Sequence, residues 1–263
     1  KRVVAIPSGA HGGYAEYVIC PTASAYEMPE SVPLPGAAAL YFPFHLAWLG
    51  LCERAKVKAG ETVLINGAAG SVGTAAVQLA VTAGARVIAM AGSDEKLALC
   101  KKLGAEVTIN HNQEDFVAIV REQTNGRGVD IVFDNVGESV MEQNLGLIVY
   151  DGRYVMMGFA SNKLVADEKF LVPRRLACSN ISLCCVMLFY ADEAQAAMAK
   201  EHMGWNFAPS AVGQAINDKV IELVESEKVF PVVGRVVKFE EIPAELEAIA
   251  NQETLGRTIV KLF

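Results

Sequence analysis

The hydrophobic positions of this chain form short, nearly continuous apolar runs, and each run is followed by a segment of helical composition. Residues 63–65, 87–90 and 131–133 are the clearest of these runs. A strand with one buried face alternates between apolar and polar residues, whereas a strand buried on both faces is apolar throughout. The alternation of such strands with helices predicts an α/β fold with a doubly wound parallel sheet.

The same pattern predicts the approximate bounds of each element. From residue 61 onwards we predict strands near residues 62–66, 86–91, 106–109, 130–134, 153–157 and 182–189, and helices near residues 71–83, 94–103, 114–124 and 138–147. Ahead of this region we predict strands at residues 1–6 and 14–20, a Pro-rich loop at 21–35 and a largely helical segment at 37–56 with a break or kink at Pro43. Beyond it we predict helices at residues 193–200, 211–227 and 242–251 and strands at 234–239 and 258–262.

A glycine-rich turn joins the first strand of the repeating region to its first helix and reads GAAGSVG over residues 67–73. A pyrophosphate binds against backbone N–H groups at a helix N-terminus, where the helix dipole favours negative charge. A side chain at the point of approach would block the pyrophosphate, which explains Gly70, and Gly73 allows the helix to pack closely on the strand. The strand–turn–helix–strand order predicts a dinucleotide-binding unit, with an ordinary glycine turn as the alternative.

The end of the second strand distinguishes the two nicotinamide dinucleotides. An Asp or Glu at this point binds the ribose 2′-hydroxyl of NAD and repels the 2′-phosphate of NADP. Here the residues are Gly92 and Ser93, which are small and neutral, and Lys96 follows one turn into the helix. This pattern predicts NADPH, with an exposed helical lysine as the alternative for Lys96. Ser93 is the predicted N-cap, and Asp94 and Glu95 in the first turn complement the helix dipole.

The composition is that of a globular protein with a sizeable apolar core. Hydrophobic residues make up 52% of the 263 residues, the mean hydropathy is +0.28, and the longest apolar run is too short to span a bilayer. The net charge of −7 and the lack of a Lys/Arg stripe argue against nucleic acid or an acidic membrane as a partner. The six cysteines form no C-x2-C pair and predict reduced, buried thiols, with disulfides or zinc as the alternative. With no signal-like segment visible, we expect a cytoplasmic location.

Several short segments carry a resemblance to one protein family. They are residues 13–17 (GYAEY), 58–70 (KAGETVLINGAAG), 91–96 (AGSDEK), 107–111 (VTINH), 126–130 (GRGVD), 152–155 (GRYV), 231–235 (PVVGR) and 255–257 (LGR). With these segments the chain resembles the medium-chain dehydrogenase/reductase superfamily, specifically its zinc-free quinone oxidoreductase and zeta-crystallin branch. The resemblance implies a Rossmann sheet inserted in a GroES-like β domain that here lacks roughly its N-terminal quarter. The implied domains are a partial GroES-like catalytic domain at 1–42, a Rossmann cofactor-binding domain at 43–228 and a return to the catalytic domain at 229–263.

The resemblance also implies which residues contact the cofactor. The glycine-rich turn contacts the pyrophosphate, the ends of the second and third strands contact the adenosine phosphate, and the later strand ends contact the ribose and nicotinamide. The implied residues are Ala69, Gly70, Ser71, Val72, Gly92, Ser93, Lys96, His111, Asn135, Met157, Gly158, Phe159, Ala160, Val186, Met187 and Leu188. For His111 the alternative is a structural histidine, and for residues 186–188 it is core or edge packing.

The resemblance implies no metal and no dedicated catalytic side chain. Residues 40–50, where the zinc-dependent branch has one ligand, contain only His45, and neither cysteine spacing of that branch is present. Hydride transfer is chemistry of the cofactor, and a quinone or enone can take its proton from solvent.

The implied function is NADPH-dependent hydride transfer to a quinone or an α,β-unsaturated carbonyl, a small-molecule substrate in either case. One alternative is an NADPH-binding structural protein of the crystallin kind, or a catalytically incomplete chain. The other alternative is a zinc alcohol dehydrogenase. The resemblance further implies a homodimer joined at residues 182–189, because an apolar sheet edge left bare is a liability.

Overall fold

The computed structural model describes residues 1–7, 12–158, 160 and 173–262. The contacts between its residues divide the chain into two compact units, one formed by residues 46–186 and the other by residues 1–45 together with 187–263. The domain boundaries predicted at 42/43 and 228/229 are not tested by this division into compact units and stay a prediction.

The described strands and helices are numbered here in chain order. The strands are β1 (Val3–Ala5), β2 (Ala25–Glu27), β3 (Thr62–Asn66), β4 (Arg86–Ala91), β5 (Val107–Asn110), β6 (Val129–Asp134), β7 (Ile148–Met156), β8 (Ser182–Cys185), β9 (Tyr190–Ala191), β10 (Ala208–Pro209), β11 (Val233–Lys238) and β12 (Arg257–Lys261). The helices are α1 (Leu34–Ala38), α2 (Tyr41–Trp48), α3 (Ser71–Thr82), α4 (Asp94–Lys102), α5 (Phe116–Gln123), α6 (Glu138–Leu145), α7 (Pro173–Ser179), α8 (Glu193–Met203), α9 (Ser210–Glu225) and α10 (Ile242–Ala250), with a π-helical turn at Leu49–Arg54.

The unit of residues 46–186 is built on a parallel sheet, which has six strands in the described part of the chain. Their order is β5-β4-β3-β6-β7-β8, so that β3 lies in the middle and the order reverses on either side of it. All residues of β3 and β6 are buried, which explains why their sequences are apolar with almost no alternation. This sheet and the helices α3 to α6 confirm the predicted α/β doubly wound fold.

The main difference within this sheet is at its β8 edge. The sixth strand was predicted to run over residues 182–189, but β8 ends at Cys185, where it pairs with Met156 of β7. A strand can continue only as far as its neighbour offers ladder partners, and β7 ends at Met156. The helix α7, which precedes β8, was not predicted from the sequence.

The first turn of α3 packs directly on the backbone that leads out of β3. Gly67 has a φ of +64°, which turns the chain sharply after the strand. A Cβ on Gly73 would lie 2.2 Å from the carbonyl oxygen of Gly67 and 2.7 Å from the backbone of Ala68. Neither backbone position can move without displacing the strand or the helix, so only glycine fits at residue 73.

The unit of residues 1–45 and 187–263 contains the short strand pairs and the remaining long helices. In the described residues β1 pairs with β2 in antiparallel fashion, whereas β9 pairs with β10 and β11 with β12 in parallel fashion. The capping box of α8 explains its start, because Asp192 accepts a hydrogen bond from the backbone N–H of Gln195 (2.8 Å). The helices predicted after residue 190 and the strands β11 and β12 are confirmed within a few residues.

Three predictions for the N-terminal region were wrong. Residues 14–20 do not form a strand, and the side chains of Tyr17 and Ile19 are 91% and 84% exposed. Within the described residues no strand pairs with them, and an isolated strand is not stable in water. The strand β2 lies inside the predicted loop of residues 21–35, and it forms because β1 supplies its ladder partners. Pro43 does not break the helix: it is the third residue of α2, where its missing N–H needs no partner.

The cysteines are less uniformly buried than the sequence predicts. All six cysteines are free, but Cys178 and Cys185 are exposed, so the expectation of uniformly buried thiols was wrong for these two. Among the described helices, none has both the length and the apolar character needed to cross a membrane.

Replacing Gly73 tests the packing of α3 on β3. We expect Gly73→Ala to lower the free energy of unfolding by at least about 2 kcal/mol, because the new methyl group meets backbone rather than a flexible side chain. Gly70→Ala is the matched control. Its Cβ would meet only the Gly67 carbonyl oxygen, at 3.4 Å, and its expected cost is below about 1 kcal/mol. Urea denaturation followed by circular dichroism measures both, and equal losses would contradict the packing argument.

Candidate functional site

The carboxyl ends of five neighbouring strands lie at one edge of the parallel sheet. Because β3 to β7 are parallel, the loops that follow them all leave from this edge, where ligands of open α/β sheets bind. The predicted contact residues from Ala69 to Gly158 lie in these loops and in the helix turns that follow. The structure thus brings together on one edge residues that are up to about ninety positions apart in sequence.

The turn between β3 and α3 offers donors to an anion. Gly70 is the N-cap residue of α3, with extended backbone, and Ser71 and Val72 are the first two helical residues. The N–H of Gly70 donates to the carbonyl oxygen of Gly67 (3.2 Å). The N–H groups of Ser71 and Val72 have no acceptor within the helix, and the dipole of the helix is positive at this end. The hydroxyl oxygen of Ser71 is buried without a hydrogen-bond partner among the described residues. A buried hydroxyl is costly when unpaired, so this turn fits a group with acceptor oxygens such as a pyrophosphate.

The turn has room for a side chain at Gly70 but is packed against the protein at Ala69. Gly70 would carry a Cβ free of any contact closer than 3.4 Å, so the protein itself does not require glycine there. Ala69 is 2% exposed and belongs to the packed side of the turn, and the N–H of Ala68 donates to the carbonyl oxygen of Met90 (3.0 Å), which ties the turn to β4. Packing thus requires glycine at residue 73 but not at residue 70.

The loops after β4 and β5 meet at Gly92. The carboxamide of Asn112 donates to the carbonyl oxygen of Gly92 (2.9 Å), and the ring of His111 lies about 3.3 Å from the position that a Cβ on Gly92 would take. Ser93 accepts a hydrogen bond from the N–H of Lys96 (3.4 Å), which confirms the predicted N-cap. The structure therefore brings the predicted residues 92, 93, 96 and 111 together and adds Asn112, which the sequence reasoning missed.

The imidazole of His111 is neutral at this edge. Burial lowers the pKa of His111, and the positive charge of Lys96 lowers it further, against a hydrogen bond to the Ala91 carbonyl that raises it. The influence of Lys96 on His111 shows that the ammonium group lies within electrostatic range of the same loops. The loops after β4 and β5 thus bring together the cationic side chain of Lys96 and an imidazole of lowered pKa.

A buried carboxylate organises the middle of the edge. Asp134, the last residue of β6, is fully buried and accepts hydrogen bonds from the N–H groups of Val136 (2.8 Å) and Gly137 (3.0 Å). The amide of Asn66 in β3 donates to the same oxygen, Oδ1, at 3.4 Å, and the hydroxyl of Tyr154 in β7 donates to the other oxygen, Oδ2. Burial, followed by the negative charge of Asp134, raises the pKa of Tyr154. The carboxylate therefore connects the ends of three strands.

Asp134 and Tyr154 also hold the loop that carries a predicted contact residue. The amide of Asn135 donates to the carbonyl oxygen of Asn66 (2.9 Å), so its side chain lies across the end of β3. The sequence reasoning missed Asp134 and Tyr154. An acidic residue directly after the apolar run of residues 131–133 is the signal that would have pointed to a buried, hydrogen-bonded carboxylate.

The predicted contact residues at 157–160 and 186–188 do not all lie at this edge of the sheet. A Cβ on Gly158 would lie 2.2 Å from the carbonyl oxygen of Asn135, which places the end of β7 against the loop after β6. The N–H of Val186 donates to the carbonyl oxygen of Met156 (3.1 Å) and so extends the pairing of β8. Ala160 is exposed, and Phe159 lies outside the described residues. Met187 and Leu188 belong to the unit of residues 1–45 and 187–263.

His45, the one residue of the predicted zinc-ligand region with metal-binding chemistry, is buried in that other unit. Its Nδ1 forms a hydrogen bond with the hydroxyl of Tyr190 (3.1 Å), and its ring packs against Tyr41 with the ring centroids 4.4 Å apart. In the part of the chain that the structure describes, no three His, Cys, Asp or Glu side chains form a group that could hold a metal ion. The absence of zinc stays a prediction.

The burial of His45 predicts a loss of stability in acid. Burial lowers the pKa of His45 from 6.5 to about 4, so between these values the unfolded chain binds a proton that the folded chain does not. The free energy of unfolding should fall as the pH falls from 6.5 to 4, by about 3 kcal/mol in total from this group. His45→Gln should remove that part of the pH dependence, measured by urea denaturation at a series of pH values. The same slope in both proteins would contradict this assignment.

Comparison with known proteins places the chain in a family. Residues 71–202, half of the chain, match the family described as zinc-binding dehydrogenase. A quinone oxidoreductase-like protein 2 homolog from Nematostella vectensis is 36% identical over 157 residues, which cover 59% of this chain and 43% of that protein. The human quinone oxidoreductase is 29% identical over 221 residues, 82% of this chain and 65% of its own length. The chain thus spans about two fifths to two thirds of these relatives.

Solved structures show the same architecture. A mycobacterial protein solved in complex with NADPH superposes with a TM-score of 0.84 at 25% identity, covering 97% of this chain and 73% of that chain. An NAD-dependent alcohol dehydrogenase superposes with a TM-score of 0.78 at 28% identity, covering 96% and 66%. The sheet order, the β3–α3 turn and these matches agree, and the chain belongs to the zinc-binding dehydrogenase family as a quinone oxidoreductase-like member of the medium-chain dehydrogenase/reductase superfamily.

Proposed function

We propose that this chain binds NADPH and transfers hydride from it to a quinone or an α,β-unsaturated carbonyl, without a metal. The observation that carries the proposal is the β3–α3 turn, where an open approach at Gly70 adjoins the buried and unpaired hydroxyl of Ser71. The quinone oxidoreductases among the relatives support the reaction class, and the NADPH complex of a structural neighbour supports the cofactor.

The proposed cofactor site assigns each part of the dinucleotide to one group of residues. Residues 69–72 hold the pyrophosphate. Gly92, Ser93, Lys96 and His111 hold the phosphorylated ribose and adenine, with Asn135 on the ribose side. The nicotinamide end is assigned to residues 157–160 and 186–188, on the basis of the family resemblance.

The choice of NADPH rests on the charges at the end of β4. Gly92 and Ser93 carry no negative charge, and Lys96 supplies a positive charge. A carboxylate at this point would accept the ribose 2′-hydroxyl and repel a 2′-phosphate. The proposed preference for NADPH is therefore an electrostatic one, and it should weaken as the salt concentration rises.

The mechanism needs positioning rather than a reactive side chain. A bound nicotinamide supplies the hydride. The residues of this chain hold the diphosphate at α3, fix the ribose at the strand ends and limit the access of water. The proton that completes reduction comes from solvent, so the proposal assigns no general acid.

The proposal includes a homodimer in the cytoplasm. Among the described residues β8 is the last strand at its side of the sheet, and Leu183 on it is 37% exposed. Exposed apolar edge strands pair with other chains unless they are protected. Pairing of two β8 edges would cover this strand, and the free cysteines agree with a reducing compartment.

Nucleotide titration tests the cofactor and turnover tests the reaction. We expect the fluorescence of NADPH to change on binding at lower concentrations than that of NADH, and a simple quinone or enone to be reduced at the expense of NADPH. Gly70→Ala, which the packing tolerates, should weaken the binding of both nucleotides about tenfold or more, because its methyl group stands in the path of the pyrophosphate.

The possible results separate the alternatives. Tight NADPH binding without turnover would favour a nucleotide-binding structural protein or an incomplete catalytic chain. Turnover that depends on zinc, shown by loss with a chelator and recovery with ZnCl2, would favour a zinc alcohol dehydrogenase. Failure to bind either nucleotide would contradict the proposed function.

Analytical ultracentrifugation tests the dimer. We expect the mass of two chains, and we expect Leu183→Lys to shift the protein to one chain because a charge on the edge strand disfavours pairing. Cys185→Ser on the same strand is the matched control and should leave the mass unchanged. A wild-type protein with the mass of one chain at micromolar concentrations would overturn the dimer.

A further inference from the structure

The last residue of β5 is a buried asparagine whose side-chain oxygen and nitrogen both form hydrogen bonds. Asn110 pairs in the sheet with Ala91, the last residue of β4, and is only 3% exposed. Its side-chain oxygen accepts from the N–H of Asn112 (3.2 Å), and its side-chain nitrogen donates to a carboxylate oxygen of Asp94 (3.1 Å). With donor and acceptor both in use, the orientation of this amide is set by its surroundings.

The amide of Asn110 donates to Asp94, which is the first acidic residue after the end of β4. Asp94 is the first residue of α4, two positions after Gly92 and directly after the N-cap Ser93. Its side chain is exposed in the first turn of α4, where a negative charge complements the helix dipole. A carboxylate in this neighbourhood is the group that distinguishes a ribose 2′-hydroxyl from a 2′-phosphate. The position of the Asp94 charge therefore matters for the choice of nucleotide.

We propose that Asn110 is a positioning residue for nucleotide specificity: its hydrogen bond holds the carboxylate of Asp94 at the β4–β5 edge and thereby permits a 2′-phosphate at Gly92 and Ser93. This inference rests on the proposed function, since it concerns the same nucleotide site. The bond acts in two ways. It restrains a side chain that is otherwise free to rotate at the surface, and it offsets part of the carboxylate charge with an N–H donor.

The same residue explains how the neighbouring loop is held. Because the side-chain oxygen of Asn110 accepts from Asn112, and Asn112 donates to the carbonyl of Gly92, one chain of hydrogen bonds joins Asp94 to Gly92 through β5. The backbone N–H of Asn110 donates to the carboxylate of Glu114 (2.7 Å), which fixes the start of the loop. Asn110 thus acts through Asp94 and Asn112.

A double-mutant cycle on Asp94 and Asn110 tests the inference, with the ratio of the NADH to the NADPH dissociation constant as the readout. Asn110→Ser keeps a hydroxyl that can accept from Asn112 but is too short to reach Asp94. We expect Asn110→Ser to lower this ratio about tenfold, mainly by weakening NADPH. In an Asp94→Asn background the same change should leave the ratio unaltered, because no charge remains to be held.

A buried asparagine elsewhere in the same unit serves as the control. Asn144→Ser on α6 should affect both nucleotides equally if it affects them at all. Should Asn110→Ser fail to fold, the isosteric Asn110→Asp keeps the acceptor for Asn112, loses the donor to Asp94 and should lower the ratio further.

Equal weakening of both nucleotides, or a change in the ratio that persists in the Asp94→Asn background, would overturn the inference while leaving the proposed function intact. A wild-type protein that prefers NADH, or binds neither nucleotide, would instead overturn the proposed function.

Discussion

The close approach between the backbone after β3 and the first turn of α3 is the contact on which the rest of this structure depends. A helix can begin so near the end of a strand only where no side chain separates them, and Gly73 meets the Gly67 carbonyl at a distance that excludes a Cβ. This contact sets the position of α3 on the sheet. It also directs the unpaired N–H groups of the helix towards the space beyond the strand, so the packing and the proposed binding of a pyrophosphate have one common cause.

The carboxyl edge of the sheet is kept in order by buried polar groups that pair with one another. Asp134 would be costly as an isolated buried charge, and it is stable because two backbone N–H groups, Tyr154 and Asn66 all donate to it. Asn110 has a similar function on β5, which lies three strands from β6 on the other side of β3. The hydrogen bonds of Asp134 and Asn110 hold the loops that follow their strands, and candidate contact residues lie in those loops.

The unit of residues 1–45 and 187–263 shows where sequence patterns are weak. Its strands are short and depend on partners that are distant in the chain, as with β1 and β2, whose pairing joins residues about 20 to 24 positions apart. Residues 14–20 have the composition of a strand but find no partner among the described residues. A local pattern reports the preference of a segment, whereas strand formation is a property of a pair. The helices α8, α9 and α10 were predicted correctly because a helix satisfies its backbone hydrogen bonds within one segment.

The sequence by itself determined the α/β class, the six parallel strands with the helices between them, and the glycine-rich turn, because continuous apolar runs and glycines with a steric purpose are local features. It also determined which residues follow each strand end, and hence most of the candidate site. Only the tertiary structure decided that Asn112 reaches Gly92, that Asn110 holds Asp94 and that Tyr154 pairs with Asp134. Those hydrogen bonds join residues on different strands, and their existence depends on strand order and register, which no single segment encodes.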